Sequence, residues 1–183
     1  PGLDLRTPDR FHFRQAKVIN NSVNKQYNYL TINRGTMHGI KPETGVISAR
    51  GLVGVVQNVS THYATVISLL NTRFKVSAKL RDSGFFGSLE WDGQSYRHAI
   101  LSEIPAHAPI QVGDAVVTSG YSTIFPEGVL VGTVEEFELG EGEGFYRITV
   151  KLSVDFKNIT YVEIAEKVAG DEQRNLEKVT QDD

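Results

Sequence analysis

The 183-residue chain has no cysteine, one methionine, one tryptophan and six prolines. Without a thiol there is no disulfide framework, no thiolate metal site and no cysteine nucleophile. A cysteine-free composition suits a periplasm as well as a cytosol, because nothing in it can be mis-oxidised in an oxidising space. An excess of one charge is also missing, since 19 Lys and Arg stand against 22 Asp and Glu. Affinity for phosphate backbones needs clustered basic residues, and here they are scattered among acids, which argues against nucleic acid as a partner. No apolar run approaches the ~20 residues needed to cross a bilayer, and Pro1 to Asp9 lack the basic start and apolar centre of a signal peptide. The first residue is not Met, so a fragment cut from a longer protein is expected.

What the sequence does have is short runs of β-branched and aromatic residues separated by Gly, Asn, Asp and Pro. Twelve strands are predicted, over residues 16–19, 29–33, 45–48, 52–59, 64–70, 75–80, 85–91, 98–104, 115–119, 130–139, 146–154 and 161–165. From Tyr146 to Val154 every second residue is apolar, the pattern of a strand with one buried and one wet face. A grammar of turn, strand and glycine occurs twice: Gly39 to Val46 followed by Gly51 to Val56, and Pro109 to Val116 followed by Gly128 to Val134. Gly54 and Gly132, inside otherwise good strands, point to close backbone approach in small sheets that close on themselves.

The predicted fold is all-β: two six-stranded β-barrels, the second inserted before the last strand of the first. The first barrel is expected over 16–74 plus 158–168 and the second over 75–157. Residues 1–15 read as an irregular stalk or vector remnant, and the polar stretch 169–183 as a disordered tail.

Chemistry is hard to place on this framework. His12, His38, His62, His98 and His107 are dispersed, with no metal-ligand spacing among them. No cofactor is expected: the chain has no phosphate-binding glycine motif, and Gly140 to Gly144 presents carboxylates that would repel a phosphate. Glu135 and Glu136 point to opposite faces of a strand, and Asp182 and Asp183 belong to the tail; neither pair converges on a cleft. The one enzyme pattern with shape is a chymotrypsin-like serine hydrolase using His62, Asp82 and Ser119, the order and the two barrels both being suitable. Ser119 lacks the nucleophile loop that would build an oxyanion hole, standing instead in Thr118-Ser119-Gly120-Tyr121. A ligand-binding barrel is disfavoured because six-stranded barrels are filled by their own side chains. What remains is surface. Phe85 and Phe86 cannot both face one interior, and together with Tyr96 and Tyr121 they are the candidate partner-binding residues. Exposed strand edges offer a second route to association.

The residues Ala16-Lys17-Val18-Ile19, Leu30 through Gly35, Gly39-Ile40, Gly45-Val46 and Gly51 through Val56 resemble the rod shape-determining MreC family. So do Val112-Gly113-Asp114, Val116 through Gly120, Ile124 through Gly128 and Val131 through Val134, in the family's order and spacing over residues 16 to 168. The resemblance implies a non-enzymatic scaffold of cell elongation, the periplasmic β-domain of a single-pass inner-membrane protein. It implies binding to the elongation penicillin-binding transpeptidase, coupling to MreD, RodA and MreB, and self-association. It implies no epitope, because the shared motifs are mostly turn glycines and core valines.

Overall fold

In the structure, a computed structural model, residues 11–142, 144–168 and 176–181 are described. Twelve strands follow one another: β1 (Phe11–Asn21), β2 (Tyr27–Ile32), β3 (Gly45–Ser48), β4 (Gly51–Val59), β5 (Ala64–Asn71), β6 (Lys75–Leu80), β7 (Phe86–Glu90), β8 (His98–Pro105), β9 (Ala115–Thr118), β10 (Leu130–Leu139), β11 (Phe145–Leu152) and β12 (Tyr161–Lys167). They close into two antiparallel barrels, β1-β12-β3-β4-β5-β2 and β10-β11-β8-β7-β6-β9. The second barrel is thus inserted ahead of the strand that completes the first, as the sequence predicts. Alternation sets the faces: in β11, Ile148, Val150 and Leu152 are buried while Arg147 and Lys151 are exposed.

The two barrels are versions of one ring. Starting from β6, the second reads first, second, third, sixth, fifth, fourth strand; starting from β12, the first reads the same way. In this alignment β3 matches β9 and β4 matches β10, the strands that carry the repeated grammar. Backbone bonds repeat too. Glu43 and Val56 are joined by N–H to O at 2.8 Å and Val56 to Thr44 at 2.9 Å, while Gly113 pairs with Val134 at 2.7 Å and Val134 with Asp114 at 2.9 Å. Gly54 and Gly132 also correspond. A Cβ on Gly54 would lie 1.9 Å from the Ile67 carbonyl oxygen, and one on Gly132 would lie 2.0 Å from that of Lys151. Each glycine lets the next strand of a tightly coiled sheet approach closely.

Several expectations change. β1 begins at Phe11, so 11–15 is strand rather than stalk: Phe11 to Lys17 pair with Lys167 to Tyr161 of β12. His12 to Gln15 are all exposed, and the segment is held by pairing with β12 and by the Arg14 guanidinium donating to the His38 carbonyl. Residues 1–10 lie outside the described residues. In the tail expected to be disordered, 176–181 forms an exposed helical turn in which the Thr180 hydroxyl donates to the Leu176 carbonyl at 2.9 Å; 169–175 and 182–183 lie outside the described residues. Phe85 and Trp91 fall just beyond β7, Phe85 in the preceding turn and Trp91 held by its indole N–H on the Ser95 carbonyl at 2.8 Å. Barrel closure reduces the expected free edges to overhangs, since β1 meets β2 only from Val18 onward and β10 meets β9 only up to Thr133.

The chain returns to the first barrel through residues 153–160. Phe156 is fully buried there, and Asn21 donates its side-chain amide to the Phe156 carbonyl at 2.6 Å. The Asn158 amide and then the Lys157 N–H hold the Asp155 carboxyl below its ordinary pKa. This contribution to the return is present when the carboxylate is ionised and is lost as pH falls through the lowered value.

Gly54→Ala and Gly132→Ala should each destabilise the protein by roughly 3 kcal/mol, because a backbone carbonyl must move to admit the methyl group. Gly140→Ala, where the same methyl would find its nearest atom at 3.5 Å, should stay close to the parent. Urea denaturation of the three variants checks both expectations.

Candidate functional site

The barrels meet through the equivalent strand pairs. Gly45 of β3 and Gly51 of β4 face the second barrel: a Cβ on Gly45 would lie 2.7 Å from the Phe125 ring, and one on Gly51 would lie 2.3 Å from the Leu130 carbonyl oxygen. Phe125, carried by the β9–β10 loop, is buried and shares one continuous core with residues of both barrels, among them Val46, Val53 and Val131. The loop is pinned from beneath by Thr118, whose buried hydroxyl donates to the Pro126 carbonyl at 2.7 Å and accepts the Val129 N–H at 2.9 Å. Gly120 turns the chain with φ +84°. Phe125 is thereby directed inward, and Tyr121, four residues earlier, outward.

Ser119 serves this loop. Its hydroxyl bonds the Ser77 hydroxyl on β6 at 2.7 Å and accepts the Tyr121 N–H at 3.2 Å, so it fixes where Tyr121 leaves the barrel. His62 is exposed in the β4–β5 turn of the other barrel, and Asp82 is exposed beside Arg81 at 3.4 Å. The three residues of the hydrolase pattern have no hydrogen bond in common. Among the described residues, no group of three His, Asp or Glu side chains is placed to hold a metal ion.

The four aromatic candidates separate into a cluster and an outlier. Phe86 is 48% and Tyr121 71% exposed, and their rings lie 4.6 Å apart at a 37° tilt. Lys79, opposite Phe86 in the β6–β7 register, is paired with Glu127 at the far end of the Tyr121 loop. Phe85 is half-buried, edge-on to His107 at 5.4 Å, and with Phe86, Gly84 and Pro105 it lines a largely apolar cleft of about 410 Å³ that Ser83 and Glu103 also border. Tyr96 lies elsewhere, half-buried beneath Arg97 at 5.3 Å and Lys157 at 4.3 Å from its ring centroid. The exposed aromatic cluster thus comprises Phe86 and Tyr121, with the half-buried Phe85 beside it. Sequence reasoning passed over Phe145, 51% exposed and opposite Pro105 in the β11–β8 register; its position beside a glycine turn was the available signal.

The family model "Rod shape-determining protein MreC, barrel core" matches residues 18–166. The chain belongs to the MreC family. The cell shape-determining protein MreC of Listeria monocytogenes is 27% identical over 157 residues, which is 84% of this chain and 53% of that protein. The chain therefore spans about half the length of the curated relatives it matches. A solved MreC structure from L. monocytogenes superposes with a TM-score of 0.79 at 26% identity, covering 87% of this chain and 77% of that one. The same fold, at 24% identity and a TM-score of 0.72, occurs in the major periplasmic domain of a cell shape-determining filament MreC, with 87% of this chain and 98% of that one covered. It occurs again, at 16% identity and a TM-score of 0.66, in a complex between penicillin-binding protein PBP2 and MreC from Helicobacter pylori, with 85% and 98% covered.

Phe125→Ala should lower stability by about 3–4 kcal/mol, since it empties a buried joint between two backbones. Phe86→Ala, at a half-exposed site, should cost under about 1 kcal/mol. Thermal unfolding of both variants distinguishes the joint from the surface.

Proposed function

We propose that this chain is the periplasmic barrel region of a non-enzymatic cell-elongation scaffold that binds the elongation penicillin-binding protein and copies of itself. The observation that carries the reading is membership of the MreC family together with an exposed Phe86–Tyr121 pair on a loop braced from within. Aromatic side chains held rigid at a surface lose little entropy on binding and supply large contact area, the properties of interface hot spots. Phe85 forms the wall of the same contact, and Tyr96 is a separate, secondary contact. The protein shares its fold with an MreC solved in complex with PBP2 and with one described as a filament, which supports both partners by analogy of fold. Coupling to MreD, RodA and MreB belongs to the whole protein, of which this chain is the part facing the cell wall.

The scaffold reading is preferred to the hydrolase pattern because the Ser119 hydroxyl is engaged with Ser77 and the Tyr121 backbone, and neither His62 nor Asp82 reaches it through a hydrogen bond. Titrating the chain with the periplasmic part of the transpeptidase from the same organism should give saturable binding. The Phe86→Ala, Tyr121→Ala double variant should weaken it at least about 30-fold, as the loss of a hot-spot pair does. Full affinity in the double variant would remove the surface from consideration; absence of binding by the parent chain would remove the transpeptidase.

A further inference from the structure

A second surface of the inserted barrel is unlike the first. The strands β7, β8, β11 and β10 are neighbours in that order, and across them lies a groove of about 860 Å³. Its apolar part comprises Trp91, Ile100, Leu139 and Phe145, of which Leu139 and Phe145 are exposed at 66% and 51%. Around this stand five carboxylates, Glu90, Asp92, Glu103, Glu138 and Glu141, against the single guanidinium of Arg147. The whole chain is nearly balanced at 22 acids and 19 bases, so the groove concentrates negative charge well beyond the average. Glu90 is paired with Lys75 at 3.7 Å, and Asp92 accepts the Gln94 N–H at 3.1 Å. Among the described residues, Glu103, Glu138 and Glu141 make no such ion pair or hydrogen bond.

We propose that this groove binds a cationic, apolar-flanked peptide segment of a partner protein. Charge complementarity sets the sign: a cation beside Glu103, Glu138 and Glu141 gains attraction without costing the fold an existing ion pair. Apolar side chains of the segment would cover Leu139 and Phe145, removing exposed hydrophobic area from water. The dimensions call for polypeptide. Three inter-strand spacings of ~4.8 Å give a span of roughly 14 Å, the reach of four or five extended residues at ~3.3 Å each. The groove adjoins the Phe85–Phe86 cleft at Glu103, which lines both, but neither Phe86 nor Tyr121 lines it, and the proposal does not depend on the transpeptidase reading.

Trp91 is the chain's only tryptophan and lies in the groove, so its emission reports occupancy without a label. The probes are two blocked hexapeptides, one alternating Leu with Lys and the other Leu with Glu, with backbone amide shifts of Ser102, Glu103 and Arg147 as a second readout. The Leu/Lys peptide should give a saturable change and the Leu/Glu peptide none. Glu103→Gln combined with Glu138→Gln should weaken the Leu/Lys peptide about tenfold, each exposed charge contributing a few-fold. Neither carboxylate is in an ion pair, and Glu138 only stands across from Arg147 in the β10–β11 register, so the unfolding transition should move little. The Phe86→Ala, Tyr121→Ala variant should bind the peptide like the parent. Equal binding of both peptides, parent affinity in the double Gln variant, or no saturation in either readout would overturn the proposal.

Discussion

The contact between the Phe125 ring and the bare backbone at Gly45 makes one body of two barrels that each close on themselves. A closed barrel satisfies most of its own ladder hydrogen bonds, and here mainly the β1 and β10 overhangs are left as sheet edge by which to hold a neighbour. The joint therefore has to be made by side chains and by close backbone approach. Glycine at positions 45 and 51 brings the β3–β4 pair against the loop and strand of the second barrel, and Phe125 fills the space. Thr118 and Ser119 brace that loop from inside, so one short segment both joins the barrels and presents Tyr121 outward. The exposed Tyr121 is therefore placed by the same segment that makes the joint.

The duplicated ring gives this arrangement a simple logic. Equivalent strand pairs, β3–β4 and β9–β10, carry the same backbone bonds and the same close-approach glycine. They also face each other across the joint. The first barrel takes its remaining strand from the end of the chain, so two connections cross between the barrels and the buried Phe156 lies in the return.

Much of this was legible in the residues. The alternation in β11, the glycines at 54 and 132, and twelve strands dividing six and six led to two barrels with the second inserted. Phe11 to Gln15 were missed because the Phe11-His12-Phe13-Arg14 alternation is short and buries little, and it is pairing with β12 and the Arg14 bond to the His38 carbonyl that hold them. The site was legible in residue type and not in place. Phe86, Tyr121 and Phe125 are all aromatic residues near turns, yet packing makes two of them surface and one the joint. Tyr96 carries the same sequence signal and lies elsewhere beneath two cations. Ser119, offered as a nucleophile only by its order in the chain and argued against by the missing oxyanion loop, bonds Ser77, a distant neighbour that could not be seen from sequence. The acidic groove was invisible for a related reason: its carboxylates come from separate stretches of chain and converge only when β7, β8, β11 and β10 become neighbours.

The central claim is that the second barrel presents its braced aromatic loop to the transpeptidase. The most direct measurement is hydrogen exchange of this chain, free and bound to the periplasmic part of that enzyme. Slowed exchange should concentrate at residues 83–87 and 119–124, with the outer strands of the first barrel unchanged. Protection confined to the first barrel, with the Tyr121 loop exchanging as in the free chain, would contradict it.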